Sequence, residues 1–138
     1  MMHLLTGFSA FLLRELDAVA PPGSVLVLEE PDVAARRRVA SRITAHPCVA
    51  RVAEAPIQHP DFADGMGLPD LPAGIDSVAP GTEYGVTAAA VLAARLGLPG
   101  IGVAAAPVFG DKQLLRRTLA GAVPQPRWAP LTSSELAR

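Results

Sequence analysis

Four consecutive apolar residues, Val25-Leu26-Val27-Leu28, limit the folds open to this chain of 138 residues. Side chains alternate between the two faces of a strand, so a run that is apolar at every position needs cover on both sides. A central strand of a parallel sheet, with helices on each face, meets that need. The flanks agree with a short strand. Pro21-Pro22-Gly23 precedes the run and Glu29-Glu30-Pro31-Asp32 follows it.

The neighbouring segments extend the pattern. Met2 to Leu5 is a short apolar run that meets Thr6-Gly7. Phe8, Phe11, Leu12, Leu16 and Val19 recur at helical spacing, and Pro21 stops them because proline donates no backbone hydrogen bond. Pro31 suits a helix start. Val33, Val39 and Ile43 then predict a second helix, ending near Pro47. Val49 to Ala53, apolar around Arg51, reads as a strand nearer the edge. This β-α-β-α-β order is the first half of a doubly wound sheet. Residues 55–74 are rich in proline and glycine, which excludes a long helix there. They predict a loop holding a short irregular helix around Asp61 to Asp64, or a flap. Ile75 to Ala79 is a fourth strand, and a fifth falls near Ile101. The expected fold is α/β and Rossmann-like: a doubly wound, mostly parallel five-stranded sheet of order 3-2-1-4-5 with helices on both faces. Ligands then lie at the carboxyl ends of the strands, an edge carrying Gly7, Glu29, Glu30, residues 81–83 and Gly102.

Several classes of function are disfavoured by composition. The net charge is −1, without the clustered basic face that nucleic acid requires, and Arg36-Arg37-Arg38 reads as a solvated helix face. The first residues lack a basic leader and are interrupted by Arg14, Glu15 and Asp17, unlike a signal peptide or a membrane span. The single cysteine, Cys48, permits no intrachain disulfide and fits a cytoplasmic location. It reads as a small buried hydrophobe rather than a nucleophile. His59, Asp61 and Asp64 read as a surface loop with turn-forming aspartates, and no metal site is assigned to them.

Gly7 stands between the first strand and the first helix, where a phosphate-binding turn would sit. Glu29 follows Gly7 by 22 residues, the place of the acid that a dinucleotide site uses at the end of its second strand. The glycine fingerprint is not met, because Phe8 and Leu12 stand where glycines are needed. A nicotinamide-dependent oxidoreductase domain is the less favoured reading, with Gly7 otherwise a tight strand-to-helix turn.

From Asp76 to Trp128 the ordered features are a short apolar run ending at Pro80-Gly81, then Glu83, an Ala-rich segment to Leu96, and Gly97-Leu98-Pro99-Gly100. Gly110-Asp111-Lys112 with Arg116 and Val123-Pro124-Gln125-Pro126 follow. This order resembles the ATP-grasp ligase superfamily, at the junction between its N-terminal domain (pre-ATP-grasp, biotin-carboxylase-N-terminal-like) and its nucleotide-binding domain. The resemblance implies a pre-ATP-grasp Rossmann-like domain over residues 1–106 and a linker helix with the start of the ATP-grasp domain over 107–138. It implies the substrate side of an ATP-dependent carboxylate-amine (amino-acid or peptide) ligase, or of a biotin-carboxylase-like enzyme. ATP and Mg2+ would serve the full-length enzyme, through an acyl phosphate. The partners would be a small-molecule carboxylate substrate and a further ATP-grasp domain, with homodimerisation left open.

Within that resemblance Lys112 matches the lysine that contacts bound ATP. Asp111 is a plausible N-cap, and Leu114, Leu115, Thr118 and Leu119 form the expected buried stripe. A cation in the first turn opposes the helix dipole by about 0.3–1 kcal/mol, a placement that a facing phosphate would explain. Glu83 matches a glutamate that this family often keeps at the cleft between its domains, and is equally a first-turn glutamate favoured by the dipole. Gly7 and Glu83 are the candidate substrate-binding positions. Thr132-Ser133-Ser134-Glu135, after Leu131, is a capping-box pattern that announces a further helix, so the expectation is an inactive fragment of a longer enzyme. A stand-alone Rossmann-like binding or dimerisation module is the alternative from another class.

Overall fold

The structure, a computed structural model, describes residues 1–64 and 67–130. It is α/β, with a parallel sheet of strands β1 (Met2–Thr6), β2 (Val25–Glu29), β3 (Val49–Glu54) and β4 (Ile75–Pro80). The helices are α1 (Ala10–Asp17), α2 (Pro31–Arg37), α3 (Val39–Arg42), α4 (Val86–Arg95), α5 (Ala106–Gly110) and α6 (Lys112–Thr118). Single 3-10 turns occupy Ile43–Ala45, Pro60–Asp64 and Glu83–Gly85. The strand order is β3-β2-β1-β4. All three pairings are parallel, with Leu4 beside Leu26 on one side and Val78 on the other.

The apolar run at 25–28 behaves as its composition requires. Leu26 and Leu28 join Leu4 and Ile75 on one face, under Ala88, Val91 and Leu92 of α4 and under Ile57 and Phe62. Val25 and Val27 join Leu5 on the other, under Phe8, Leu13, Ala34, Val39 and Cys48. Helices therefore cover both faces of the central strands. Six consecutive residues of α4, Ala88 to Ala93, are buried, which brings this helix close against the sheet because four of them are alanine.

Four expectations are corrected. Among the described residues the sheet has four strands, not five. Pro99-Gly100-Ile101-Gly102 turns instead of extending: Gly102 has φ +83°, and Ile101 and Val103 are 51% and 42% exposed. A proline without an N–H and two glycines leave too short a run to build a ladder along β4. The helical stripe at the start is also different. Phe8 precedes α1, which Ser9 caps by accepting from the Leu12 N–H, so the register places Leu13 inside and leaves Phe11 and Val19 exposed. The second helix is broken at Arg38, which adopts a left-handed φ of 50° between α2 and α3. The stripe of Leu114, Leu115, Thr118 and Leu119 is not buried: no residue of α6 is, because α6 packs on α5 alone among the helices it touches closely.

The short helix expected near Asp61 is present as the 3-10 turn Pro60–Asp64. The helix start expected at Thr132–Glu135 lies outside the described residues. Among the described residues, no helix is long and apolar enough to cross a membrane.

Candidate functional site

The carboxyl ends of β1, β2 and β4 meet in three tight turns. Gly7, with φ +88°, leaves β1 and donates its N–H to the Leu28 carbonyl at 2.8 Å. A Cβ on Gly7 would lie 2.0 Å from the Thr82 Oγ1. A Cβ on Gly81 would lie 2.1 Å from the Gly7 carbonyl oxygen, and one on Gly85 2.1 Å from that of Thr6. The Thr6 hydroxyl donates to the Gly85 carbonyl at 2.7 Å. The turn after β4 thus packs backbone against backbone on the turn after β1, and glycine is needed because no side chain fits. Gly7 and the turn bearing Glu83 are brought together, but the space beside Gly7 is filled by Thr82.

Glu29 holds this edge in place. It ends β2 with no exposed surface. One oxygen accepts from the Phe8 N–H at 2.7 Å and the other from the Glu30 N–H at 2.8 Å. The Tyr84 hydroxyl donates to both, at 2.8 and 3.0 Å. A buried carboxylate is tolerated only when so engaged. Burial raises the Tyr84 pKa, and the hydrogen bond to Glu29 adds to the rise. Glu29 therefore faces inward and ties three turns together, with both oxygens engaged by backbone N–H groups and the single Tyr84 proton shared between them, and is not presented to a ribose. Beside it, a Glu30 oxygen accepts from the Gln58 N–H at 3.0 Å, which anchors the loop after β3.

Glu83 is exposed on its 3-10 turn. Lys112 is exposed at the first position of α6, where the Asp111 carboxylate caps the Gln113 and Leu114 N–H groups at 2.8 and 3.0 Å. Lys112 makes no ion pair with a described residue. Arg116 stacks over the Trp128 ring, 5.9 Å from its centre, and the Gln125 amide donates to the Arg116 carbonyl, so residues 123–128 return along α6.

Tyr84 is the residue that sequence reasoning passed over. Its signal was there: an amphipathic ring between Glu83 and Gly85, directly after a strand, with a buried acid to satisfy elsewhere. A second polar cluster lies at the opposite end of the sheet. The His46 Nδ1 is 2.7 Å from one oxygen of Asp17, and the Cys48 N–H donates to the other at 3.0 Å. The Cys48 thiol points to the Leu13 carbonyl at 3.9 Å, and burial pushes its pKa up to about 12. A thiol so held is not a nucleophile. Among the described residues, no group of three or more His, Cys, Asp and Glu could hold a metal ion.

No protein-family model matches the chain, and neither a curated protein nor a solved structure does.

Proposed function

We propose that the chain is the N-terminal, substrate-side domain of an ATP-grasp carboxylate-amine ligase. Its sheet is then the Rossmann-like half of the enzyme, and α5 and α6 lead toward the nucleotide-binding domain. The observation that carries this reading is the division of the chain after α4. The core is well buried up to Ala93, whereas Ile101, Val103, Phe109, Leu114, Val123 and Trp128 stay exposed beyond it. Among the described residues, exposed large apolar side chains are denser here than in residues 1–95, where Met1, Phe11 and Val19 are the exposed ones, and a segment that continues into a neighbouring domain would show that density. Lys112, exposed and without an ion pair to a described residue, stands in that same region, as an ATP-contacting lysine would.

The resemblance over residues 76–128 supplies the chemistry. ATP would phosphorylate a carboxylate, and an amine would displace phosphate from the acyl phosphate. Lys112 would place its charge against the nucleotide phosphates, and Glu83 and the turn at Gly7 would border the substrate. A cytoplasmic setting fits these substrates. Among the residues described, Mg2+ has no ligand set, so its ligands belong to the neighbouring domain in this reading.

Hydroxylamine trapping tests it. The protein expressed from its native reading frame is supplied with ATP, Mg2+ and a panel of small carboxylic acids, and hydroxamate is measured. The reading predicts ATP-dependent hydroxamate that falls at least about tenfold in Lys112→Ala, since loss of a phosphate contact costs about 1.4 kcal/mol or more. Turnover that ignores both Lys112 and ATP would overturn it.

A stand-alone binding or dimerisation module is favoured by one feature. Leu12, Leu16 and Val19 of the α1 region border an apolar hollow of about 320 Å³ with Leu5 and Ala79 of the sheet. A concentration-dependent dimer by sedimentation, lost in Val19→Glu, would support that reading instead.

A further inference from the structure

His3 of β1 and Ser77 of β4 are register partners, and both line the hollow of about 320 Å³ beside α1. The Ser77 Oγ lies 2.8 Å from the His3 Nδ1, and both side chains are half-buried. Register partners on neighbouring strands stand on one face of the sheet, which is how β1 and β4 join two residues 74 apart. The Nδ1 accepts the hydroxyl proton when the ring proton sits on Nε2.

A serine hydroxyl held against an imidazole is an activated nucleophile if a substrate can reach it. Here one can. The other walls of the hollow include Leu5, Leu12, Leu16, Val19 and Ala79, so an apolar group can lie beside the Ser77 oxygen. The volume is at the small end of ligand sites. Attack on a carbonyl also needs a donor for the oxygen that becomes charged. The Gly81 N–H donates to the Thr6 carbonyl at 2.8 Å. Backbone N–H groups alternate sides along a strand, so those of Ala79 and Ser77 face β1 and that of Val78 faces the outer edge. Among the described residues β4 pairs with β1 alone, and no backbone acceptor meets the Val78 N–H on that edge. The N–H that follows a nucleophilic serine is the one that α/β-hydrolases use for the oxyanion.

We propose that Ser77 and His3 form a catalytic dyad that hydrolyses small esters carrying a short apolar acyl chain. The Ser77 Oγ bonds to the acyl carbon and passes its proton to the His3 Nδ1. The ester C–O bond breaks, and the alcohol leaves with that proton. Water then attacks the acyl-serine, giving a proton to Nδ1, and the Ser77 Oγ departs as the hydroxyl. No redox partner or cofactor enters the balance. No described residue accepts from the His3 Nε2, so the dyad has no third member to orient it. Disabling that member in a full triad costs about ten-thousandfold, so slow turnover of activated esters is expected. The dyad uses neither ATP nor Lys112 and stands apart from the ligase reading.

The test is hydrolysis of p-nitrophenyl acetate and p-nitrophenyl butyrate by the purified protein, with fluorophosphonate labelling mapped by mass spectrometry. Both esters are expected to turn over faster than in buffer, butyrate the better, and the label is expected on Ser77. Ser77→Ala should return hydrolysis to the buffer rate with an unchanged melting curve. His3→Ala should lower it about a hundredfold, and His3→Gln equally, because an amide cannot take the proton. Leu16→Trp, which fills the hollow, should lower butyrate turnover more than acetate turnover. Hydrolysis by Ser77→Ala at the wild-type rate, a label on another residue, or no turnover above buffer by the folded wild-type protein would each overturn the dyad. Should His3→Ala unfold the chain, Ser77→Ala and the mapped label still decide.

Discussion

The Tyr84 hydroxyl reaches both oxygens of Glu29, at 2.8 and 3.0 Å, across 55 residues of sequence. That one phenol joins the end of β2 to the turn that starts α4. Through the same carboxylate it also holds the N–H of Phe8, at the start of the α1 turn. Tyr84→Phe is expected to destabilise the fold by about 1.5–3 kcal/mol, the usual worth of a hydrogen bond to a charged group. Glu29→Gln should cost as much or more, because its amide group would face an N–H donor at Phe8 or Glu30. Urea unfolding of both single variants and the double variant checks this. Coupling near zero in that cycle would show that the two residues act separately.

Gly85→Ala is expected to be the most damaging small substitution. Its Cβ would meet the Thr6 carbonyl oxygen at 2.1 Å, and that neighbour is sheet backbone with nowhere to go. A loss of about 3 kcal/mol is expected, at the upper end for overpacking. Gly23→Ala is a contrast: open space surrounds it, and only its φ of +68° opposes the change, by about 1–2 kcal/mol. Thermal melts of the two variants should rank in that order.

Arg38 carries a left-handed φ of 50° without being glycine. Arg38→Gly is therefore expected to stabilise the protein, by up to about 1 kcal/mol, since the strain relieved exceeds the entropy that glycine adds to the unfolded chain. A lowered urea midpoint would show that the Arg38 side chain contributes more than its backbone costs.

Stability should fall in acid through Asp17. Its carboxylate accepts from the Cys48 N–H and pairs with His46, and these contacts, Cys48 first, hold its pKa below the ordinary 3.8. A carboxyl with a depressed folded-state pKa contributes stability above its unfolded pKa and loses it as pH falls through the folded value. The contribution is thus complete above pH 3.8 and disappears below it. Asp17→Asn should flatten the decline measured between about pH 4 and 2 by urea midpoints. An unchanged slope would assign the acid sensitivity to other carboxylates.

Cys48 is expected to resist alkylation in the native state. With its pKa pushed up to about 12 and its surface buried, iodoacetamide at pH 8 should modify it only as fast as the chain unfolds. Labelling followed by mass, with and without urea, measures this. Rapid modification in the folded protein would mean that the α1 end opens readily.

Much of the fold was legible in short stretches. The run at Val25 to Leu28 predicts a strand buried on both faces because its apolar character does not alternate. The prolines at 21, 31 and 47 bound its neighbouring helices for reasons local to the backbone. The polar residues were harder to place. Glu29 has the position of a ribose-binding acid, yet its burial and its partners come from Phe8 and Tyr84, which only folding brings near. Gly7 has the look of a phosphate turn, and Thr82 fills the space that a phosphate would need.

The amino-acid order alone determined where β1 to β4 and α4 form, because hydrophobic spacing and backbone breakers act within a few residues. Only the tertiary structure decided that Glu29 looks inward, that residues 99–102 turn where a fifth strand was expected, and that α6 leaves its leucines uncovered. Those outcomes depend on which groups compete for the same space and the same hydrogen bonds, and the competitors lie far apart along the chain.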